Sequence, residues 1–368
     1  MSLGCGDDKG TGGSGSAGSA GAAGAAGSAG SAGSAGSAGN AGSAGRAGSG
    51  GAGSAGSAGS AGSAGSAGSA GSAGSAGSAG SAGSAGSAGS GSTVGELLKS
   101  YEMGMMLDPG MEDTWCVVLP TGNAQPVDIA RFDATLIAGT HHMIFYATDE
   151  AVNETPTRCN PFSGVIPGFG TSNGMAKALT ITQSPHEVLT FPVGVAYQFK
   201  ANQNVRVEIH FINASSSPVM GKGKMDVYKY AGTPENRADL IFGGNININI
   251  PPQGTPTFGG TTNLSPGDKI FSLTGHTHHL GTRFAIDHVS GTASRQVYES
   301  LDWEHPPYAT FDPPLSFAQG ERLRYSCSFF NPATTGRPVT LGESFYDEMC
   351  FYWAYYYPSR GFLFLPNL

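Results

Sequence analysis

The residues of this chain best suited to chemistry are His276 and His278, in the stretch Gly-His-Thr-His-His-Leu-Gly at 275–281. Apolar runs at 269–273 and 283–286 flank the stretch, and both are typical of short strands. Alternate residues of a strand point to the same face, so the two imidazoles would lie together, with Thr277 turned away. Two converging neutral imidazoles are a natural pair of metal ligands. Taken alone, the stretch also fits a histidine-rich surface strand.

Three other places in the sequence offer further ligands. His141 and His142 are adjacent at the start of an apolar run, so joint binding of one metal requires a bulge or a strong twist there. His210 follows the alternating run 205–209, on the face opposite its apolar residues. Met349 lies in the sequence Asp-Glu-Met-Cys at 347–350, an acidic setting where a methionine is less expected than in a core.

These residues form two sets along the chain, whose members are His141, His142 and His210 in the first half, and His276, His278 and Met349 in the second. A thioether is a soft ligand, and with two imidazoles it favours copper, especially Cu(I), over zinc or iron. The two sets together predict a protein that binds two copper ions.

The elements that must position these residues are predicted to be strands. Turn signals recur between short runs rich in β-branched and aromatic residues, and no long helical period appears, although residues 96–100 predict one helical turn. We therefore expect an all-β protein of two antiparallel, jelly-roll-like β-sandwich domains, over 93–233 and 234–368. The absence of a run of about 18 apolar residues argues against a transmembrane helix.

Residues 11–92 are almost entirely Ser, Ala and Gly, largely in a three-residue repeat. Such a segment buries too little apolar surface to offset its ordering entropy, so it predicts a disordered linker with a span on the order of 50 Å. The sequence Leu-Gly-Cys within residues 1–10 resembles the end of a bacterial lipoprotein signal. Cys5 is then a lipid anchor and the linker a tether; the alternative is a thiol without a role.

Apart from Cys5 there are four cysteines: Cys116, Cys159, Cys327 and Cys350. An even number without a Cys-x-x-Cys pair, on a chain with an export-like start, predicts two disulfides. Three pairings exist, of which Cys116–Cys159 with Cys327–Cys350 is the local one. The predicted location is therefore exported: the cell surface, the periplasm or the medium.

The formal charge is −8 with only 19 Lys and Arg, and no basic stripe is present, which argues against nucleic acid as a partner. We expect a monomer that meets the membrane only through the anchor.

Four motifs in order, His-His-Met, Val-x-Ile-His-Phe, His-Thr-His-His-Leu-Gly and Asp-Glu-Met-Cys, resemble the copper type II, ascorbate-dependent monooxygenases over most of 100–358. The resemblance implies two sandwiches with one copper each, facing across a solvent-filled cleft. By that likeness the three-histidine set would hold the electron-transfer copper, and the set with Met349 the copper that binds O2 and substrate. It also implies the two local disulfides, ascorbate as reductant, and hydroxylation of an activated C–H bond.

Departures from the family pattern bear on the substrate. Peptidylglycine enzymes of this family hold the substrate carboxylate with an Arg two residues before the His-x-His motif, where this chain has Thr274. They also use an Asn and a Tyr after the Met-Cys pair, where Phe351 and Trp353 stand. A glycine-extended peptide is therefore not expected, and the aromatic replacements favour an apolar or aromatic small molecule.

Two readings of other classes stay open. One is a non-catalytic copper-binding or sensing surface lipoprotein on the same scaffold, which the missing substrate residues and the tether motivate. The other is a structural surface protein in which metals only stabilise the fold.

Overall fold

The computed structural model describes residues 93–162 and 176–367. All of them belong to one compact unit. The predicted linker and the predicted anchor at Cys5 lie outside the described residues. Within these ranges, none of the helical structure has the length and apolar character needed to cross a bilayer.

The regular elements of the described residues are strands and one 3-10 turn, with these bounds: β1 Val94–Leu107, β2 Glu112–Pro120, β3 Val127–Leu136, β4 Thr140–Thr148, β5 Asn153–Arg158, β6 Lys177–Thr182, β7 His186–Thr190, β8 Val195–Phe199, β9 Asn204–Ile212, β10 Val219–Tyr230, β11 Asn236–Arg237, β12 Asp239–Asn245, β13 Asn249–Ile250, β14 Thr257–Asn263, β15 Lys269–His276, β16 Gly281–Ser290, β17 Ala293–Ser300, β18 Ala309–Ser316, β19 Arg322–Phe329, the 3-10 turn Ala333–Thr335, β20 Val339–Thr340, β21 Phe351–Tyr357 and β22 Leu363–Asn367.

Two facing sheets form what we call the first sandwich. One has the order β5-β2-β9-β4-β6, and the other has the order β1-β10-β3-β8-β11, with β7 added on β3. The alternation of β9 buries Val205, Val207 and Ile209 completely in the core between the sheets, as the sequence predicts. Tyr101 and Phe145 join the two sheets, with ring centroids 5.1 Å apart.

The second sandwich consists of the sheets β18-β15-β21-β12-β22 and β14-β19-β16-β17, beside a small pair β13-β20. Tyr352 of one sheet packs on Tyr325 of the other, with ring centroids 5.2 Å apart. The predicted all-β, sandwich-like fold is confirmed for the described residues. The boundary at 233/234 stays a prediction; β11 pairs in parallel with β8 of the first sandwich.

Strand β21 is apolar on both faces because both faces are covered. One face joins the core of the first sandwich and the other joins the core of the second; the respective residues are Phe351, Trp353 and Tyr355, and Tyr352, Ala354 and Tyr356. Phe191 of the first sandwich packs on Phe271 of the second at 5.5 Å, and the hydroxyl of Tyr355 donates to Thr180 Oγ1 at 3.0 Å. The two sandwiches therefore share a continuous apolar interface.

The helical turn predicted at 96–100 is wrong, because these residues lie in β1. They pair with β10 through contacts such as Lys99 with Val227. Ladder pairing and packing of alternate side chains override a weak local helix propensity.

Candidate metal centre

The first ligand set is assembled by two adjacent strands of the first sandwich. His142 of β4 lies opposite His210 of β9, and the ladder is irregular between Thr140 and His142. This is the bulge that the adjacent histidines require, since it allows His141 to turn toward the same site as His142. Ligand nitrogens of His141, His142 and His210 lie within 4.8 Å of one another.

The second set is positioned by the end of a strand and the loop that follows. Strand β15 ends at His276, so His278 lies in the loop before β16, and the predicted strand through both residues is wrong. Their rings still converge, with centroids 5.0 Å apart. His279 turns away from the other two histidine rings. Its ring stacks on that of Phe345, with centroids 4.6 Å apart, and its Nδ1 hydrogen-bonds the backbone carbonyl of Phe345 at 2.7 Å.

The two sets lie together, and the expected solvent-filled cleft between them is wrong for this structure. The ring of His141 lies 6.4 Å from that of His276 and 6.1 Å from that of His278. The His142 and His276 rings are 6.1 Å apart. The physical reason is the shared interface, since burying the outer face of β21 against the first sandwich brings the end of neighbouring β15 onto β4 and β9. We call the following five residues the histidine cluster: His141, His142, His210, His276 and His278.

Met349 is fully buried at the edge of the same interface. The carboxylate of Glu348 accepts hydrogen bonds from the backbone N–H groups of His278 at 2.9 Å, Leu280 at 2.6 Å and Met349 at 3.3 Å. The carbonyl of Asp347 lies 3.1 Å from His278 Nδ1. The methionine loop is thus fastened to the loop that carries His278.

Neighbouring acceptors determine which ring nitrogen carries a proton. Carbonyl oxygens only accept, so His278 donates through Nδ1 to Asp347, and His276 donates through Nδ1 to the amide oxygen of Gln183. His210 instead bonds the carboxylate of Glu112 through Nε2 at 3.3 Å.

Within the described ranges, several other ring nitrogens of the cluster have no acceptor or donor of this kind. Among the described residues these buried atoms have no hydrogen-bond partner: Nε2 of His276, Nε2 of His278, Nδ1 of His210 and both ring nitrogens of His142. Leaving buried polar atoms without a partner costs free energy, so the concentration of such atoms at one point fits the binding of a metal ion there.

Burial lowers the pKa of His141, His142 and His276 well below the usual range, and lowers the pKa of His278 to about 4. The rings are therefore neutral at pH 7 and offer lone pairs rather than charge, as metal binding requires. Imidazole nitrogens together with a thioether fit copper, and Met349 is buried in the loop that is bonded to the loop of His278. A second geometric group, Cys116, Cys159 and Glu208, is no metal site because its thiols form a disulfide.

Both predicted disulfides are confirmed. One joins Cys116 to Cys159 and the other joins Cys327 to Cys350. The second links β19 to the residue just before β21, next to Met349. Two disulfides indicate an oxidising compartment.

Sequence reasoning missed three residues that orient ligands: Gln183, Glu112 and Glu348. Glu348 was visible as part of the acidic motif, but no local pattern marks Gln183 or Glu112, since each meets its histidine only through tertiary contact.

The residues that depart from the family pattern are buried in the interface. Thr274 is inaccessible, and its hydroxyl donates to the carbonyl of Pro307 at 3.0 Å. The indole of Trp353 donates to the hydroxyl of Tyr308. A cavity that borders His276 has a volume of only ≈10 Å³. Thr274 and Trp353 therefore place a hydroxyl and an indole, but no charge, near His276, and the packing there is close.

Fold and site together define an all-β protein with a histidine cluster suited to a transition metal. Residues 257–363 match the family model of the copper type II ascorbate-dependent monooxygenase C-terminal domain. The recognition drawn from the motifs is thereby confirmed over this segment, which carries His276, His278 and Met349.

Other comparisons add little. A search of curated proteins found no significant match. Among solved structures, the major capsid protein P2 of bacteriophage PM2 aligns at 9% identity over 70% of this chain and 99% of its own, with a TM-score of 0.31. The tandem CBM22 domain of Paenibacillus barcinonensis Xyn10C aligns at 8% identity over 74% and 99%, with a TM-score of 0.17. At such scores neither likeness informs function.

Proposed function

We propose that this protein is a copper-dependent monooxygenase that hydroxylates an activated C–H bond of a small molecule with O2, using ascorbate as electron donor. The observation that carries the proposal is the histidine cluster, in which four buried imidazoles have unpartnered ring nitrogens, with Met349 buried in the loop that bonds His278. The family match over 257–363 supports copper and ascorbate as the cofactor and the reductant.

We assign one copper to His141, His142 and His210, and the other to His276, His278 and Met349. Bound copper would supply one-electron redox chemistry and activation of O2. The chain contributes imidazoles, of which His276 and His278 have tautomers set by their acceptors, and a thioether that suits the reduced ion. The apolar interface excludes bulk water from the reacting centre.

The substrate we propose is apolar or aromatic rather than a peptide carboxylate. Thr274 carries no charge, and its hydroxyl is already bonded within the second sandwich. Phe351 and Trp353 present apolar surface to the interface. Because the cavity beside His276 is ≈10 Å³, a substrate enters only when the packing around the cluster opens.

The first prediction tests this assignment. The reconstituted chain binds two copper ions, X-ray absorption of the Cu(I) form shows Cu–S scattering, and O2 is consumed with ascorbate and a suitable substrate. Met349→Ile removes the sulfur, so both the Cu–S signal and turnover disappear. Met225→Ile is the matched control, because Met225 is equally buried but lies in the first-sandwich strand β10. One copper or none after reconstitution overturns the proposal.

The alternative is a non-catalytic copper-binding or sensing protein. The cavity of ≈10 Å³ beside His276 favours it, since that cavity is too small to hold a substrate. Two bound coppers and a Cu–S signal without hydroxylation of any compound in a broad panel would favour this alternative.

We further propose an exported location, on the cell surface or in the periplasm or medium. The two disulfides support it. Lipidation of Cys5 stays a prediction that mass spectrometry of the membrane fraction would test.

A further inference from the structure

We infer that Gln183 is a positioning residue: from the first sandwich, it fixes the tautomer and ring orientation of His276 in the second. Gln183 directly follows β6, is 3% exposed and faces the end of β15. Its own backbone N–H donates to Glu187 Oε2 at 3.0 Å, which holds it in place.

The amide of Gln183 can be oriented from its neighbours. Its Nε2 lies 3.3 Å from the carbonyl oxygen of Gly275, which can only accept, so the NH2 group must point there. The amide oxygen must then point to Nδ1 of His276, which it bonds. One side chain thus grips two consecutive residues at the end of β15.

An amide oxygen can only accept, so His276 carries its proton on Nδ1. The lone pair is therefore on Nε2, the nitrogen that has no partner among the described residues and belongs to the cluster. A hydrogen bond to the far nitrogen of a metal-binding histidine fixes its tautomer and raises its basicity. Gln183 performs this task across the interface.

A reciprocal contact runs in the other direction. Glu112 of the first sandwich bonds His210 and also accepts the backbone N–H of Phe345, from the loop before Met349, at 2.7 Å. Ser344 Oγ lies 3.4 Å from the same carboxylate.

Closure of the sandwiches and preparation of the ligands are therefore one event. Separating the sandwiches would break the Gln183 bonds to Gly275 and His276 together with the Glu112 bond to Phe345. His276 would then be free to rotate and exchange tautomers.

The tautomer can be tested without any metal. In the metal-free full chain labelled with 15N-histidine, NMR should show His276 in the Nδ1–H form, with the signal assigned by its loss in His276→Gln. Gln183→Met removes the acceptor, so His276 becomes a tautomer mixture. Gln183→Glu keeps an acceptor oxygen and should retain the Nδ1–H form.

The matched control is Thr180→Val. Thr180 lies on β6 and accepts the hydroxyl of Tyr355 across the same interface, so its loss also weakens the contact between sandwiches. It bonds no histidine in the cluster, and the tautomer of His276 should be unchanged.

The metal-binding consequence depends on the proposed function. Titration with Cu(II), followed by electron paramagnetic resonance, should show about 10–100-fold weaker binding at the His276 site in Gln183→Met, and binding near wild type in Gln183→Glu and Thr180→Val. Failure of copper binding in the wild-type protein would reject the proposed function and leave the tautomer result standing.

The inference is overturned if wild-type His276 carries its proton on Nε2. It is also overturned if Gln183→Met and Thr180→Val show the same tautomer and the same copper affinity, because Gln183 then has only a structural role. Should Gln183→Met fail to fold, the wild-type spectrum and Gln183→Glu still decide the question.

Discussion

At the scale of single residues, the candidate centre depends on side chains that hydrogen-bond one ring nitrogen of a predicted ligand and leave the other available. Glu112 is such a residue, because its carboxylate meets His210 of its own sandwich and Phe345 of the other. The hydrogen bond from His210 is the main reason why the pKa of Glu112 lies below its usual range, so the group is an anionic acceptor at neutral pH. The carboxylate of Glu112 keeps the proton of His210 on Nε2 and leaves Nδ1 available to bind a metal ion.

Replacing Glu112 should therefore affect copper before it affects the fold. Glu112→Ala frees the ring of His210, and we expect about 10–100-fold weaker copper binding at the three-histidine site. Glu112→Gln keeps an acceptor oxygen and should retain most of the affinity. Asp113→Asn is the control, since the neighbouring Asp113 pairs with the exposed Arg158 instead. Unchanged affinity in Glu112→Ala would contradict the assigned role.

At the scale of elements, the segment before β21 matters most. The Cys327–Cys350 disulfide joins the two sheets of the second sandwich, and both sulfurs are fully buried. Because Cys350 directly precedes β21 and follows Met349, the crosslink also restrains the methionine loop.

Removing this disulfide should cost stability. The double variant Cys327→Ala with Cys350→Ala should lose about 2–5 kcal/mol of unfolding free energy, because the unfolded chain is no longer crosslinked. Denaturant unfolding of both proteins in a Cys5→Ser background, which prevents thiol exchange, measures the loss. The same replacement at Cys116 and Cys159 is the comparison. A free energy of unfolding equal to that of the parent would show that the loop is held by its hydrogen bonds alone.

At the scale of the whole molecule, burial opposes charge on many titratable groups. It raises the pKa of Glu208 to about 7 and the pKa of each of three other carboxyl groups to about 8; these are Glu187, Glu343 and Glu348. An unfolded Glu titrates near 4.3, so above that pH the native state binds more protons than the unfolded state. The free energy of unfolding then falls as pH rises through 7 and 8.

Below about pH 6.5 the buried histidines act in the opposite direction. Their native pKa values lie below the unfolded value of about 6.5, so their stabilising contribution is complete above that pH and is lost as pH falls. Below pH 6.5 the two contributions therefore oppose one another, and above pH 6.5 that of the carboxyl groups remains.

Above pH 6.5 the carboxyl groups dominate this balance. Urea unfolding of the metal-free protein should show stability falling from pH 6.5 to pH 8, with each group contributing at most about 1.4 kcal/mol per pH unit. Glu187→Gln should make the decline shallower, because it removes one carboxyl group whose pKa burial raises. Stability that is constant or rises over this range would be the contradicting result.

Sequence reasoning reached the strands and the ligand types because both are local. Period-2 alternation in β9 determines that His210 is on the face of the strand away from Val205 and Val207. Adjacent histidines in β4 require the bulge that the ladder shows. The strand through His276 and His278 was a wrong expectation, because nothing local marks where the ladder of β15 ends.

The sequence by itself determined which side chains are available and in which order they follow, whereas it left three cysteine pairings open until the family resemblance favoured one. Tertiary structure decided that the histidines of both predicted sets meet in one cluster, and that Gln183 and Glu112 hydrogen-bond two of them there. The physical reason is the two-sided strand β21. Its composition shows that both faces are buried, but only the folded chain shows that one of them packs on the first sandwich, which draws two distant histidine motifs together.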